Sequence, residues 1–367
     1  MTGDHGGTAA SSRPTRHRAL RLVVALLAVL TLAVATGCSA GGPGAGTTTG
    51  GSLRLGYFAN LTHASAVIGV KDGHFARALG STTLQTQVFN AGPAATEALL
   101  AGALDAAYLG PNPAINTYAK SNGEAIRIVA GATSGGASFV VRPGITVADL
   151  RGKTFASPQL GGTQDVALRA WLKARGLNAP VTGTGDVTVA PQDNAQTLAL
   201  FKAGTIDGAW LPEPWATRLR TEAGGQTLVD ERDLWPQGQF VTTHLVVSTR
   251  FLTQHPDQVR ALVSGAIAAD AAIAADPAGA RARVGAAIKD LTGADLPASE
   301  LADAWGHLAP TLDPMAATLG ASARAATSVG ISRTTPDLSG IYDLRILNDL
   351  LRAAGKPPVS AAGLGKE

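Results

Sequence analysis

One internal duplication constrains this chain more than any other feature. Ala98-Leu-Leu-Ala-Gly-Ala-Leu-Asp-Ala-Ala-Tyr-Leu109 matches Leu200-Phe-Lys-Ala-Gly-Thr-Ile-Asp-Gly-Ala-Trp-Leu211. Gly102, Asp105, Ala107, Tyr108 and Leu109 stand 102 positions before Gly204, Asp207, Ala209, Trp210 and Leu211. Each copy reads as a helix, a turn and an apolar strand. A period this long does not suit a solenoid, so two similar lobes account for it better than a repeat array. A Pro-X-Pro turn follows each strand, Pro111-Asn112-Pro113 in the first copy and Pro212-Glu213-Pro214 in the second. Both turns belong at the carboxyl ends of strands, where open α/β sheets place their ligands.

From Leu53 onward short apolar runs alternate with helical patterns, the mark of an α/β fold with mainly parallel strands. Leu53 to Phe58 is the first strand. Helices are expected over Thr96 to Leu104, Gln164 to Arg175, Asp257 to Asp270 and Asp337 to Ala354, the last with a strong leucine face and a stop at Gly355. Gly102 and Gly176 are the expected left-handed stops of the first two. Two β-rich stretches, Ser138 to Arg142 and Phe240 to Ser248, frame the second copy. A chain that leaves one lobe near 142 and returns near 242 makes a two-strand hinge, and lobes on such a hinge close on a ligand. The expected division is 53–141 with 243–360 for lobe one and 142–242 for lobe two.

Composition narrows the function. With 45% hydrophobic and 16% charged residues, the chain is too apolar for wholesale disorder and too long for one small core. Its net charge of +3 comes from the N-terminus: residues 1–37 hold Arg13, Arg16, Arg18 and Arg21 against Asp4, leaving 26 charges of each sign afterwards. A formally neutral body lacks the basic face that displaces counterions from phosphate, so no nucleic-acid partner is expected. The single cysteine excludes a disulfide framework, and no His-x-x-x-His or acidic cluster suggests a metal. No Gly-Lys-Ser/Thr follows a glycine turn and no dinucleotide fingerprint occurs, so no cofactor is expected.

Four arginines, the apolar run Leu22 to Val34 broken only by Thr31, and then Ala35, Thr36, Gly37 and Cys38 have the anatomy of a signal peptide. At roughly 1.5 Å per helical residue the run reaches ~20 Å, against a hydrocarbon core of ~30 Å. Residues 1–37 are read as a leader. Leu32-Ala-Val-Ala-Thr-Gly-Cys38 resembles the bacterial lipoprotein signal, in which the cysteine is lipidated and becomes the new N-terminus. Residues 38–52, small and glycine-rich, then form a flexible tether. The expected location is the extracytoplasmic side of the cell membrane, anchored by the lipid on Cys38.

Five segments in order carry a wider resemblance: Leu55-Gly-Tyr-Phe-Ala-Asn-Leu-Thr-His63, Phe89-Asn-Ala-Gly-Pro93, Leu109-Gly-Pro-Asn-Pro-Ala-Ile-Asn116, Gln159-Leu-Gly-Gly-Thr-Gln-Asp165 and Trp210-Leu-Pro-Glu-Pro-Trp-Ala-Thr217. Together they resemble the substrate-binding lipoproteins of ABC importers in the aliphatic sulfonate, nitrate and taurine group, over about 53–358. The ordered set is specific to that family, whereas no single motif is specific to a ligand. The resemblance implies the two-lobed type II periplasmic solute-binding fold, a monomer without catalysis, and permease and ATPase subunits as separate chains. It implies capture of a small organic anion, an aliphatic sulfonate first, with taurine, nitrate or a thiamine pyrimidine precursor as alternatives. A cleft enzyme on the same fold, such as a menaquinone-precursor enzyme, is the alternative of another class. It needs a base or nucleophile, and only Asp186, Glu213 and His63 are available, in no triad-like order. A ligand-sensing ectodomain is the third reading, disfavoured because no transmembrane or signalling segment follows residue 53.

Backbone N–H groups at a helix N-terminus match an anion without a countercharge. Asn90-Ala-Gly-Pro93 opens one helix, with Gly92 allowing close approach and Pro93 suited to the first turn. Gly161-Gly162-Thr163-Gln164, just after Gln159, opens another. Ser134 and Gly136 belong to a small-residue wall between them, and Asn112 lies in the first Pro-X-Pro turn. Asn60, Thr62 and His63, at the first strand's exit, are by resemblance the lobe-one edge of the pocket. Glu213 would repel a sulfonate by roughly 4 kcal/mol at ~4 Å and an effective dielectric near 20, so it must face something else. Backbone, the hinge residues Thr242 and Thr243, or the amino group of a zwitterion are its candidate partners. Trp210 and Trp215 are candidates for an apolar lid over an alkyl chain, or for the core.

Overall fold

The computed structural model describes Gly3 and residues 51–367. Residues 4–50, which hold Cys38 and most of the segments read above as leader and tether, lie outside the described residues. Strands β1 (Ser52–Phe58), β2 (Thr83–Phe89), β3 (Ala106–Leu109) and β4 (Ile126–Gly135) come first, with helices α1 (Ala64–Lys71), α2 (His74–Leu79), α3 (Gly92–Leu100) and α4 (Pro111–Lys120). Next are β5 (Ala137–Val141), β6 (Thr154–Ser157), β7 (Thr188–Pro191), β8 (Gly208–Pro212) and β9 (Gln226–Asp230), with α5 (Thr163–Lys173), α6 (Asn194–Lys202) and α7 (Trp215–Thr221). The chain returns through β10 (Val241–Ser248), α8 (Thr249–Gln254), α9 (Pro256–Ala275), α10 (Pro277–Thr292), α11 (Ala298–Trp305), β11 (Leu308–Pro310), α12 (Leu319–Ser328), β12 (Tyr342–Asp343), α13 (Arg345–Ala353) and β13 (Gly365–Lys366).

Two sheets result, and they share one order. The first runs β2-β1-β3-β10-β4 and continues through β12 and β13; the second runs β7-β6-β8-β5-β9. In each five-strand set one strand opposes the rest: β10 is antiparallel to β3 and β4, and β5 to β8 and β9. The duplication extends to individual hydrogen bonds. Helices α3 and α6 begin and end 102 positions apart. Asp105 N donates to Arg54 O at 2.9 Å while its carboxylate accepts Arg54 N at 2.9 Å. Asp207 does the same to Thr154, at 2.8 and 2.9 Å. In both copies the aspartate supplies an acceptor for a backbone N–H at the start of its sheet's central pairing, a group that burial does not allow to go unpaired.

The sequence and the structure differ most at two places. Ala137–Val141, assigned from sequence to lobe one, pairs with β8 and β9 in the second sheet. The chain therefore crosses between sheets at Gly136 rather than near 142. Gly135 and Gly136 hold φ of 71° and 78°, the left-handed conformation that lets a strand leave one sheet and enter another. Of the helix expected over 337–354 only Arg345–Ala353 forms, because Tyr342 pairs beside Ile128 and draws the preceding residues to the sheet edge. Pro111-Asn112-Pro113 follows the carboxyl end of β3, as expected, and forms the first turn of α4, consistent with proline's fixed φ and missing donor at a helix start.

Lobe two has a core on each face of its sheet. Phe139, Phe155, Trp171 and Trp210 cluster on one, and Leu198, Phe201, Leu211 and Leu219 on the other. Trp210 is fully buried, stacked on Phe139 with ring centroids 5.6 Å apart, so it is core and not lid. Its Nε1 donates to Glu231 Oε2 at 2.8 Å. Burial pushes the Glu231 carboxyl up to about 7, against the pull of the two indole donors of Trp210 and Trp235. A carboxyl raised on folding contributes stability that is full below its unfolded value, near 4.5, and is lost as pH rises through the folded value. Glu231→Gln keeps the acceptor and removes the charge. It should match the wild type at pH 4.5 and exceed it at pH 8 by up to about 3 kcal/mol in urea unfolding.

Candidate functional site

Between the lobes, at the carboxyl edges of both sheets, lies a recess of about 30 Å³, room for a water or two. Lobe one contributes Phe58 at the end of β1, then Asn60, Thr62 and His63, the β2–α3 residues Asn90, Ala91 and Gly92, and Gly110 and Pro113 after β3. Lobe two contributes Pro158 after β6, Gly162, Thr163 and Gln164 at the start of α5, and Pro212 at the end of β8. Thr242 and Thr243 reach the same edge because β10 runs against its neighbours and so begins where they end. Among the sequence candidates, the structure thus brings together Asn60, Thr62, His63, Asn90, Gly92, Gly162, Thr163, Gln164 and Thr243.

Three helices aim their N-termini here. The N-cap residues of α3, α4 and α5 are Ala91, Gly110 and Gly162; none is capped by a side chain, and all three line the recess. Each end carries about half a positive charge in its unpaired N–H groups. Prolines thin the donors of two: Pro93 removes one from α3, and Pro111 and Pro113 remove two from α4. The first turn of α5 keeps all of its own. Its Thr163 Oγ1 has no partner, although the residue is only 8% exposed. Gly110 is what admits it: a Cβ on Gly110 would stand 2.2 Å from Thr163 Oγ1, in the opposite lobe.

The side chains add neutral donors. Phe58 N donates to His63 Nδ1 at 3.3 Å, so Nδ1 carries the lone pair and Nε2 the hydrogen. Burial holds the His63 imidazole down at about 3, hence neutral. Asn60 Oδ1 accepts from Trp215 Nε1 at 3.0 Å, which leaves its amide Nδ2 to donate. Among the described residues no Lys, Arg, Asp or Glu lines the recess. Outward it opens past Asn90, Ala91 and Pro158 into a mouth of about 520 Å³, walled by Val88, Phe89, Leu160 and Pro191 and edged by Gln159, Gln192 and Asp193. A larger surface groove, about 890 Å³, lies beside α3 and α4; its charged residues Glu97, Lys120, Arg333 and Asp337 are all exposed and of both signs. Solvated charges of that kind do not converge on a ligand, whereas the recess concentrates its unpaired donors.

Six sequence candidates stand elsewhere. Asn112 is buried with Nδ2 donating to Ser322 O at 3.1 Å, so it ties α4 to α12. Ser134 lies within β4, paired with Val241 and Ala309. Gly136 is the crossing itself, its N–H given to His307 O at 2.8 Å and its carbonyl taken by Glu213 N at 2.8 Å. Gln159 belongs to the mouth. Trp215 bridges the lobes, its Nε1 donating to Asn60 Oδ1. Glu213 is fully buried and turned to α7: Oε2 accepts Thr217 N at 3.0 Å and Oε1 lies 3.6 Å from Arg220 Nη1. Burial pushes its carboxyl up, against the pull of Arg220 and the Thr217 N–H. It meets neither Thr242 nor Thr243. Sequence reasoning missed Ala91, Gly110 and Pro158, placed Pro113 and Pro212 only within turns at the ligand edge, and used Thr242 only as a hinge partner. Most of these sit at or just past the carboxyl end of a strand, and that position alone was the signal.

A buried ion pair shapes the α5 end of the site. Asp165 Oδ1 lies 3.1 Å from Arg169 Nε, one turn along α5, with side chains 0% and 1% exposed. The carboxylate also accepts Ser157 Oγ at 2.8 Å and Gly161 N at 3.0 Å, fixing the loop that delivers Gly162 and Thr163. Arg169 Nη1 donates to the carbonyls of Ala179 and Pro180, each at 2.8 Å, and Nη2 to that of Val189 at 3.4 Å. Arg169→Met leaves an uncompensated buried carboxylate and should cost about 3–5 kcal/mol in urea unfolding. The double variant Asp165→Asn with Arg169→Met should recover part of that loss; a double variant as unstable as the single one contradicts this account of the pair.

Residues 47–288 match the model of the NMT1-like family. A putative binding protein of Brucella abortus strain 2308 is 24% identical over 219 residues, which is 58% of this chain and 64% of that protein. The taurine-binding periplasmic protein of Escherichia coli K12 is 27% identical over 213 residues, again 58% of this chain and 64% of that protein. The chain therefore spans just under two thirds of the length of these curated relatives. The solved structure of the alkanesulfonate-binding protein SsuA from Xanthomonas axonopodis pv. citri, bound to MOPS, is similar with a TM-score of 0.62 at 23% identity, over 78% of this chain and 94% of that one. The shared element is the fold: two lobes, two crossings and a cleft between.

Proposed function

The chain belongs to the NMT1-like family, and on that premise we propose that it is the extracytoplasmic substrate-binding component of an ABC importer. It captures a small organic anion between its lobes and hands it to a permease driven by an ATPase, both separate chains. One observation carries this reading: an interlobe recess lined by uncharged groups, onto which three uncapped helix N-termini converge. Such a site holds an anion by neutral donors and has nothing to transform it. His63 is fixed as a neutral donor and Glu213 is committed to α7 and Arg220, so neither is poised as a base.

An aliphatic sulfonate fits best, its head in the recess and its alkyl chain along Val88, Phe89 and Leu160 in the mouth. The recess is smaller than such a head, so the lobes part to admit it. Taurine is the second reading. Glu213 is no partner for its amino group, but the exposed Asp193 at the mouth is the carboxylate that favours it. Nitrate leaves the apolar mouth unused. In this reading Cys38 carries the lipid that holds the body at the membrane's outer face, as the residues around it in the sequence suggest.

The test is a thermal-shift screen of the purified chain with ethanesulfonate, taurine, nitrate and a hydroxymethylpyrimidine. A ligand at 100 times its Kd should add about 2.7 kcal/mol of stability; no shift with any of them refutes the anion reading. Thr163→Val should weaken the bound ligand by about 1 kcal/mol or more by removing one neutral donor. Gly110 has φ of −71°, open to any residue, so Gly110→Ala strains no backbone, but its methyl would stand 2.2 Å from Thr163 Oγ1 in the shut arrangement; the variant should therefore lower affinity by disfavouring closure, while each lobe keeps its own packing. Calorimetry showing wild-type affinity in that variant places the closure contact elsewhere.

A further inference from the structure

We infer that the site takes a singly charged head on a long alkyl chain, and that the chain leaves the mouth over Leu160 and lies along α3 as far as Leu100. The inference rests on the reading above, in which an anionic head enters the recess, and it names the class of guest. Among the described residues six large apolar side chains stand exposed, and three of them, Val88, Leu160 and Leu100, belong to the two cavities that flank α3. Leu160 is a wall of both the mouth and the larger groove, so the two cavities meet at its side chain. Past it the groove continues with Pro93 and Leu100 on α3 and with Val181 and Ile331. Ile331 stands over the loop that leads into α5: a Cβ on Gly161 would lie 3.5 Å from its Cγ2.

The duplication shows that the fold does not require a leucine at the end of α3. Helices α3 and α6 are copies, and the residue 102 positions after Leu100 is Lys202, which pairs with Glu222 at 2.6 Å. Leu100 instead stands 49% exposed with its methyls in the groove. Apolar side chains gathered in this way at the edge of a ligand cavity gain free energy when an apolar guest displaces their water. The length agrees. Gly92 opens α3 at the recess, and at ~1.5 Å per residue Leu100 lies roughly 12 Å further along the helix. With C–C bonds near ~1.5 Å an extended alkyl chain advances roughly 1.3 Å per carbon, so about ten carbons cover that distance. A short chain ends in the mouth and leaves Leu100 in water.

The purified chain is titrated calorimetrically with linear 1-alkanesulfonates from ethanesulfonate to dodecanesulfonate, each below its micellar concentration. Affinity should tighten by about twofold to fourfold with each methylene, the upper figure being the ~0.8 kcal/mol of complete burial, and level off near decanesulfonate. Leu100→Gln puts an uncharged helix former on an exposed face. It should leave ethanesulfonate affinity unchanged and weaken decanesulfonate several-fold. Leu291→Gln, which alters a similarly exposed leucine on α10, should change neither and so separates the groove from unspecific adsorption of a surfactant. Equal affinity for butanesulfonate and decanesulfonate, undiminished decanesulfonate binding in Leu100→Gln, or an equal loss in Leu291→Gln overturns the inference and leaves the anion reading in place. Failure of every alkanesulfonate to bind also overturns it, and reaches the anion reading only if the thermal-shift screen is silent as well.

Discussion

Two separately packed lobes become one site where Gly110 of the first meets the hydroxyl of Thr163 of the second. Any side chain on Gly110 would occupy the space of that oxygen. The contact puts the start of α5 within reach of the starts of α3 and α4, and the electrostatic character of the recess follows from that proximity, because the field of a helix end fades within about one turn. The ion pair of Asp165 and Arg169, the crossing at Gly136 and the bridge from Trp215 to Asn60 all act on this meeting: they fix how the α5 loop is presented and at what angle the lobes approach.

The duplication explains why the site is built as it is and why its halves are not equivalent. Gly110 and Pro212 lie 102 positions apart, and both line the recess, as two copies of one strand exit would. Past those residues the copies diverge. In the first, α4 begins with its N-terminus open to the cleft. In the second, the Glu213 carboxylate folds onto the start of α7 and takes the Thr217 N–H, so that helix end is satisfied internally and contributes nothing to a guest. The same unit serves once as donor and once as frame.

Much of this was legible from the chain alone, in physical terms. The repeat gave two lobes and located the ligand edge, because a strand followed by a helix start has only one carboxyl end. The first-strand exit and the two glycine-led helix starts were found because their polar groups declare their chemistry. Gly110 and Pro158 were not, since they act through shape and backbone, which pattern does not mark. Asn112, Glu213 and Trp215 stand apart from the recess lining for the opposite reason: their chemistry is conspicuous, yet the fold engages it with Ser322, Thr217 and Asn60. The crossing was displaced because residues on either side of Gly136 are equally β-rich, and sheet membership depends on partners distant in sequence.

The absence of formal charge around the recess among the described residues sets a rule for what can compete there. Stripping water from an ion rises in cost with the square of its valence, while attraction to three fixed dipole ends, about half a charge each, grows only in proportion to it. On the proposed reading, doubly charged sulfate and hydrogen phosphate are disfavoured by this arithmetic, and a singly charged guest is not. A cleft furnished with arginine would forfeit that discrimination.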